Sequence, residues 1–92
     1  MERLEDVPKT LKEFMEIRNI SVEKLHEDSK INIKFINDIL EGKRAMPDYL
    51  MKILAVDSGE GFKFWKNLQN VELYKKNLEV GDRGELVKKE EL

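Results

Sequence analysis

The stretch from Ile20 to Arg44, ISVEKLHEDSKINIKFINDILEGKR, constrains this chain more than any other. Two short helical patterns lie close together in it, with a brief break between them. Ser21 is placed to cap the first, because its hydroxyl oxygen can accept a backbone N–H that the opening turn leaves unpaired. Val22 to Asp28 follows, with Val22 and Leu25 on one face. Ser29 to Ile31 makes the break. Asn32 caps a second helix running from Ile33 to about Glu41. Gly42 ends it, since glycine adopts the left-handed conformation at low cost. Ile36, Ile39 and Leu40 form its buried stripe, while Lys34, Asn37, Asp38 and Glu41 take the opposite face. Lys43 and Arg44 follow at once.

Length and composition set the bounds. Ninety-two residues make one small domain, and an apolar fraction of 40% fills a single core with little to spare. There is no cysteine, so disulfides and thiolate metal sites are excluded. No apolar run is long enough to span a bilayer and no signal-peptide pattern is visible, so a soluble, cytoplasmic protein is expected. Charged residues make up 39% of the chain, yet the signs nearly cancel at −2. That is not the bulk charge of a general nucleic-acid binder. The distribution says more. Residues 1–29 carry five basic and eight acidic groups, residues 30–44 four and two, and residues 45–92 eight and nine. The only net-positive block is the second half of the central stretch. The excess is small, so DNA affinity is expected to be modest per monomer and strongly salt-dependent.

Met1 to Val7 is polar and expected to be loose. Pro8 to Thr10 suits a helix start, and Leu11 to Arg18 reads as the first helix, with Leu11, Phe14 and Met15 on one face. The two helices of the central stretch come next. Pro47 and Asp48 open a fourth helix, Asp48 to Val56, with Leu50, Ile53 and Leu54 inward. Asp57 to Gly61 reads as a loop. A longer C-terminal helix spans about 62–78, with Phe64, Trp65, Leu68, Val71 and Tyr74 recurring along it. Gly81 to Leu92 reads as a charged flexible tail. No strand pattern competes. The expected fold is therefore all-α, five short helices in one domain over 1–80, with a helix-turn-helix at about 21–42 whose second helix enters the major groove.

At this point the chain resembles a known family. TLKEFMEIRNISVEKLHEDSKINIKFINDILEGKR looks like the lambda-repressor-like, Cro/XRE helix-turn-helix. GFKFWKNLQNVELYK, placed just after the fourth helix, is similar to the corresponding segment of HigA-type antitoxins. The resemblance covers roughly Thr10 to Lys75. It implies a type II toxin–antitoxin partner that neutralises a small basic, RelE-like ribonuclease by direct binding and represses its own operon as a dimer on operator DNA. By position, it implies groove contacts from Asn32, Ile33, Lys34 and Asn37, and phosphate contacts from Ser21, Lys43 and Arg44. The chemistry agrees. Asparagine can donate and accept at an adenine edge, lysine reaches guanine acceptors, and Lys43 and Arg44 position without reading sequence. The chain departs from the family at Val22, usually glutamine, at His26, usually alanine, and in the acidic Asp38 and Glu41 of the second helix of the motif. The toxin-binding residues are not carried over.

The apolar surface of the last helix exceeds what a four-helix core of this size covers, which points to a two-fold contact through Phe64, Trp65, Leu68 and Val71. Catalysis is not expected. There is no Ser–His–Asp arrangement, no phosphate-cradling glycine loop and no metal motif, and His26 is the only histidine, so no cofactor is implied. Two other readings of the same residues remain open: a stand-alone or phage-type repressor without a toxin, and a helical interaction module that does not bind DNA.

Overall fold

The structure is a computed structural model that describes residues 2–58 and 61–89. In chain order the described elements are α1 (Asp6–Arg18), α2 (Val22–Ser29), α3 (Ile33–Leu40), α4 (Asp48–Ser58), α5 (Phe62–Lys76), β1 (Leu78–Val80) and β2 (Leu86–Lys88).

Local chemistry sets most of the helix ends. The Ser21 hydroxyl oxygen accepts the Lys24 N–H at 3.1 Å and opens α2. The Asn32 carboxamide oxygen accepts the Lys34 N–H at 2.8 Å and opens α3. Asn19, Lys30 and Asn77 close α1, α2 and α5 in the left-handed conformation, with φ of 55°, 63° and 57°. Asparagine tolerates that geometry better than most residues; Lys30 does not, and side chains around it hold the turn. The buried Ser29 hydroxyl donates to Leu25 O at 2.6 Å and accepts from Ile31 N at 3.1 Å. His26 Nδ1–H donates to Ile31 O at 2.7 Å. His26 is thus a strut across the α2–α3 turn.

The core gathers Leu11 and Met15 of α1, Leu25 of α2, Ile36 and Ile39 of α3, Leu50, Met51 and Leu54 of α4, and Trp65 and Leu73 of α5. α5 is the central helix: it packs on α1, α4 and β1, while α2 packs on α3 and α4. Gly42, at φ 78°, lies so close to the N-terminal segment that a Cβ would collide with Leu4 O, and Leu4 N donates to Gly42 O at 2.8 Å.

The structure corrects the sequence reading in three places. The first is the start of the chain. Leu4 and Val7 are buried, and α1 begins at Asp6 rather than Leu11. No local side chain caps it. Instead the carboxylate of Glu72, itself only 2% exposed, accepts the N–H groups of Glu5, Asp6 and Val7, the last two at 3.0 Å. An anion from another helix thus satisfies the unpaired donors and the positive end of α1. Burial opposes the charge on Glu72. The three backbone N–H bonds and nearby Lys76 outweigh it, so its carboxyl lies below the usual carboxylate range.

The second correction is the phase of α5. Its buried residues are Trp65, Gln69, Glu72 and Leu73, whereas Phe64 and Val71 face outward at 39% and 51% exposure. Gln69 can lie inside because its carboxamide pairs both ways with Met46: Oε1 accepts from Met46 N at 2.7 Å and Nε2 donates to Met46 O at 3.0 Å. Trp65 is 2% exposed, with the rings of Phe14 and Phe64 edge-on at 5.5 and 5.2 Å. Leu68 packs partly buried against the same core. Trp65 therefore fills mainly its own protomer's interior.

The third correction concerns the end. The fold is mostly helical but not all-α. The α5 helix stops at Lys76, two residues short of 78, and Leu78–Val80 pairs antiparallel with Leu86–Lys88 in the register Leu78 to Lys88, Glu79 to Val87 and Val80 to Leu86. Up to Lys89 the expected flexible tail is a β-hairpin; residues 90–92 lie outside the described residues. Gly84, at φ 81°, shapes the turn, which closes with Gly81 N donating to Glu85 O at 2.9 Å and Arg83 N to the Glu85 carboxylate at 2.9 Å. Leu78 anchors the hairpin, 1% exposed against the helices.

Candidate nucleic-acid interface

The caps that start α2 and α3 place both helices with their polar faces outward. On α3, Ile36 and Ile39 face the core, Lys34 and Asn37 are exposed, and Asp38 is half-buried. A shallow groove of about 300 Å³ runs along this face, lined by Asn32, Lys34, Phe35, Asp38 and Arg44. Three of the expected DNA-contacting residues therefore share one surface: Asn32, Lys34 and Arg44. Ser21, Ile33, Asn37 and Lys43 do not line the groove. All four are exposed.

Each polar group in this set has a local duty that bears on what it can still offer. Ser21 and Asn32 each use an oxygen as a helix cap. The Asn32 NH2 and the Ser21 O–H remain for an acceptor such as phosphate or a base edge. Lys43 pairs with Glu41 at 2.9 Å, and that hydrogen bond holds the Glu41 carboxyl below the usual carboxylate range. Exposed pairs of this kind are weak, so Lys43 can exchange its carboxylate for a phosphate. Asp38 brings a negative charge into the groove wall, which works against phosphate and favours a donor such as the exocyclic amine of cytosine.

Sequence patterning does not disclose two residues that hold Arg44 at the groove. Phe35 lies between the buried stripe and the polar face of α3, and its ring stacks under the Arg44 guanidinium at 4.3 Å. Arg83 reaches Arg44 from the hairpin: its carbonyl accepts a hydrogen bond from Arg44 Nη1. An aromatic on the flank of the motif's second helix, ahead of a Lys-Arg pair, is the one signal for Phe35. Nothing local points to Arg83, which stands 39 residues from Arg44.

A second surface lies on the far side of the core. Ile17, Phe14, Phe64 and Trp65, with Thr10 and Glu13, border an apolar depression of about 200 Å³ between α1 and α5. Ile17 is 80% exposed, and Val71 stands two turns along α5 from Phe64 on the same face. Among the described residues no helix is long and apolar enough to cross a membrane, and no group of acidic or histidine side chains could hold a metal ion. No protein-family model, no curated protein and no solved structure matches this chain.

Proposed function

We propose that the chain is a DNA-binding antitoxin of the HigA type. It binds operator DNA as a dimer through α3 and neutralises a small basic ribonuclease toxin. The observation that carries the DNA half is the groove on the free face of α3. It gathers Asn32, Lys34 and Arg44 beside the N-terminal end of a helix whose other side is wholly apolar. That is the donor set a helix needs to sit in a major groove: an amide and an ammonium for base edges, and a guanidinium for phosphate. The toxin half rests on the sequence resemblance alone. One recognition helix reads too few base pairs, so two copies about one DNA turn apart are required. The exposed face of α5 with Phe64 and Val71, next to Ile17, supplies an apolar surface for that pairing.

The test is a salt-titrated gel shift with the DNA upstream of the coding sequence, run beside co-expression with the neighbouring gene. Salt-dependent, sequence-selective binding and rescue from a toxic neighbour support both halves. Binding without a toxic neighbour leaves a stand-alone repressor. Rescue without binding leaves an interaction module.

A further inference from the structure

Arg44 is the most constrained cation on the α3 surface, and the constraint comes from two directions. Its guanidinium stacks on the Phe35 ring at 4.3 Å. Its Nη1 donates to the Arg83 carbonyl in the β1–β2 turn. Its backbone is paired too: Arg44 forms an isolated antiparallel bridge with Glu85, and Ala45 N donates to Gly84 O at 2.9 Å. Gly84 supplies the φ of 81° at the turn that brings this carbonyl to Ala45, and it lies in van der Waals reach of the Arg44 side chain. Guanidinium carries five N–H donors, so one bond to Arg83 leaves the others for an anion. The side chain nonetheless remains on the wall of the groove with Asn32 and Lys34.

We propose that Phe35 and the β1–β2 turn form a clamp that pre-positions Arg44 for a DNA phosphate, making Phe35 a positioning residue and the hairpin part of the nucleic-acid interface. The inference rests on the reading of α3 as the DNA-facing helix. Immobilising a long side chain on binding costs conformational entropy, and a side chain already held has met that cost on folding. The planar, weakly hydrated guanidinium is the cation suited to this, because it can stack by its face and donate from its edge together. A lysine ammonium has no planar face to stack and no fixed fork of donors, so it could not be held in this way.

The experiment measures binding to a mixed-sequence DNA duplex across a salt series. It uses the wild type, Phe35→Leu and Phe35→Tyr, each with Arg44 intact and with Arg44→Ala. Circular dichroism confirms that each variant is folded, and NMR follows exchange of the Arg44 Nε–H. Phe35→Leu should weaken binding roughly 2- to 10-fold when Arg44 is present and leave it unchanged when Arg44 is alanine. Phe35→Tyr should restore wild-type affinity. The Arg44 Nε–H signal should be sharp in the wild type and broadened in Phe35→Leu. Wild type that binds DNA while Phe35→Leu is silent, or equally harmful with and without Arg44, overturns the clamp and leaves the DNA reading standing. A sharp Arg44 signal in a protein with no salt-dependent DNA binding overturns the DNA reading, and the role assigned to the clamp falls with it.

Discussion

Glu72 shows how one side chain can act at two ends of a chain. Its carboxylate caps α1 through the N–H groups of Glu5, Asp6 and Val7, and Lys76 joins it to Glu5 with contacts of 3.5 and 3.1 Å. Glu72→Gln keeps the shape but loses the charge and sets an NH2 against backbone donors. It should lower stability by about 2–3 kcal/mol, measured by urea unfolding. The sign of the pH dependence follows from the depressed carboxyl. The folded pKa lies below the unfolded one, so the stabilisation is complete above the ordinary glutamate value of about 4.3 and is lost as pH falls through the folded pKa. The gap between wild type and Glu72→Gln should therefore be constant from neutral pH down to about 5 and close in stronger acid. A gap that widens in acid would show that the carboxylate is not what holds α1. Gly42→Ala acts at the same scale. Its added methyl meets the Leu4 carbonyl at a positive φ, so it should destabilise by more than the roughly 1 kcal/mol of an ordinary glycine-to-alanine conformational mismatch.

At the scale of elements, α3 and the hairpin make separable predictions. Lys34→Ala with Asn37→Ala should weaken operator binding by about 1–3 kcal/mol for each base edge that α3 no longer reads, with helical content unchanged by circular dichroism. Normal affinity in a folded double variant would remove α3 from the DNA surface. Deleting residues 81–92 removes β2 and opens Leu78 to water, so stability should fall by about 2 kcal/mol in thermal unfolding. These elements also show what the sequence discloses. The two caps, the glycine stop and the Ile36–Ile39 stripe are legible because each is a local signal on a helix of ordinary period. The hairpin is not legible, since strands of three residues are too short for alternation to stand out. The phase of α5 misleads because Gln69 and Glu72 sit inward, made tolerable by partners at Met46 and at residues 5–7 that no helical wheel contains. The missing cap before α1 is the one hint, since Glu5 cannot serve as serine or asparagine would. In the candidate site, Lys34 follows from the wheel and Asn32 from its place as the cap of α3, whereas the bond from Arg44 to Arg83 depends on a pairing across almost half the chain.

For the whole molecule, the core and the proposed association surface can be tested separately. Trp65→Ala should cost about 3–5 kcal/mol of protomer stability, seen as a lower melting temperature that shifts equally at every protein concentration. Phe64→Asp with Val71→Asp should do the opposite: the fold persists, while light scattering reports dissociation of the proposed dimer. A dimer unmoved by the second pair would place the contact elsewhere. The bond between Glu72 and the start of α1 has a further consequence on the ribosome. Residue 72 is added 65 residues after Val7. At ordinary elongation rates that interval is about 3–13 s. Until α5 emerges, the first turn of α1 has no anion to answer its amides, and the sides of α1 and α4 that α5 covers stay bare. The α1 helix is thus completed by α5, made later. A nascent chain stalled before Glu72 would offer chaperones and proteases an open layer of helices, which closes only once α5 has been made and has emerged.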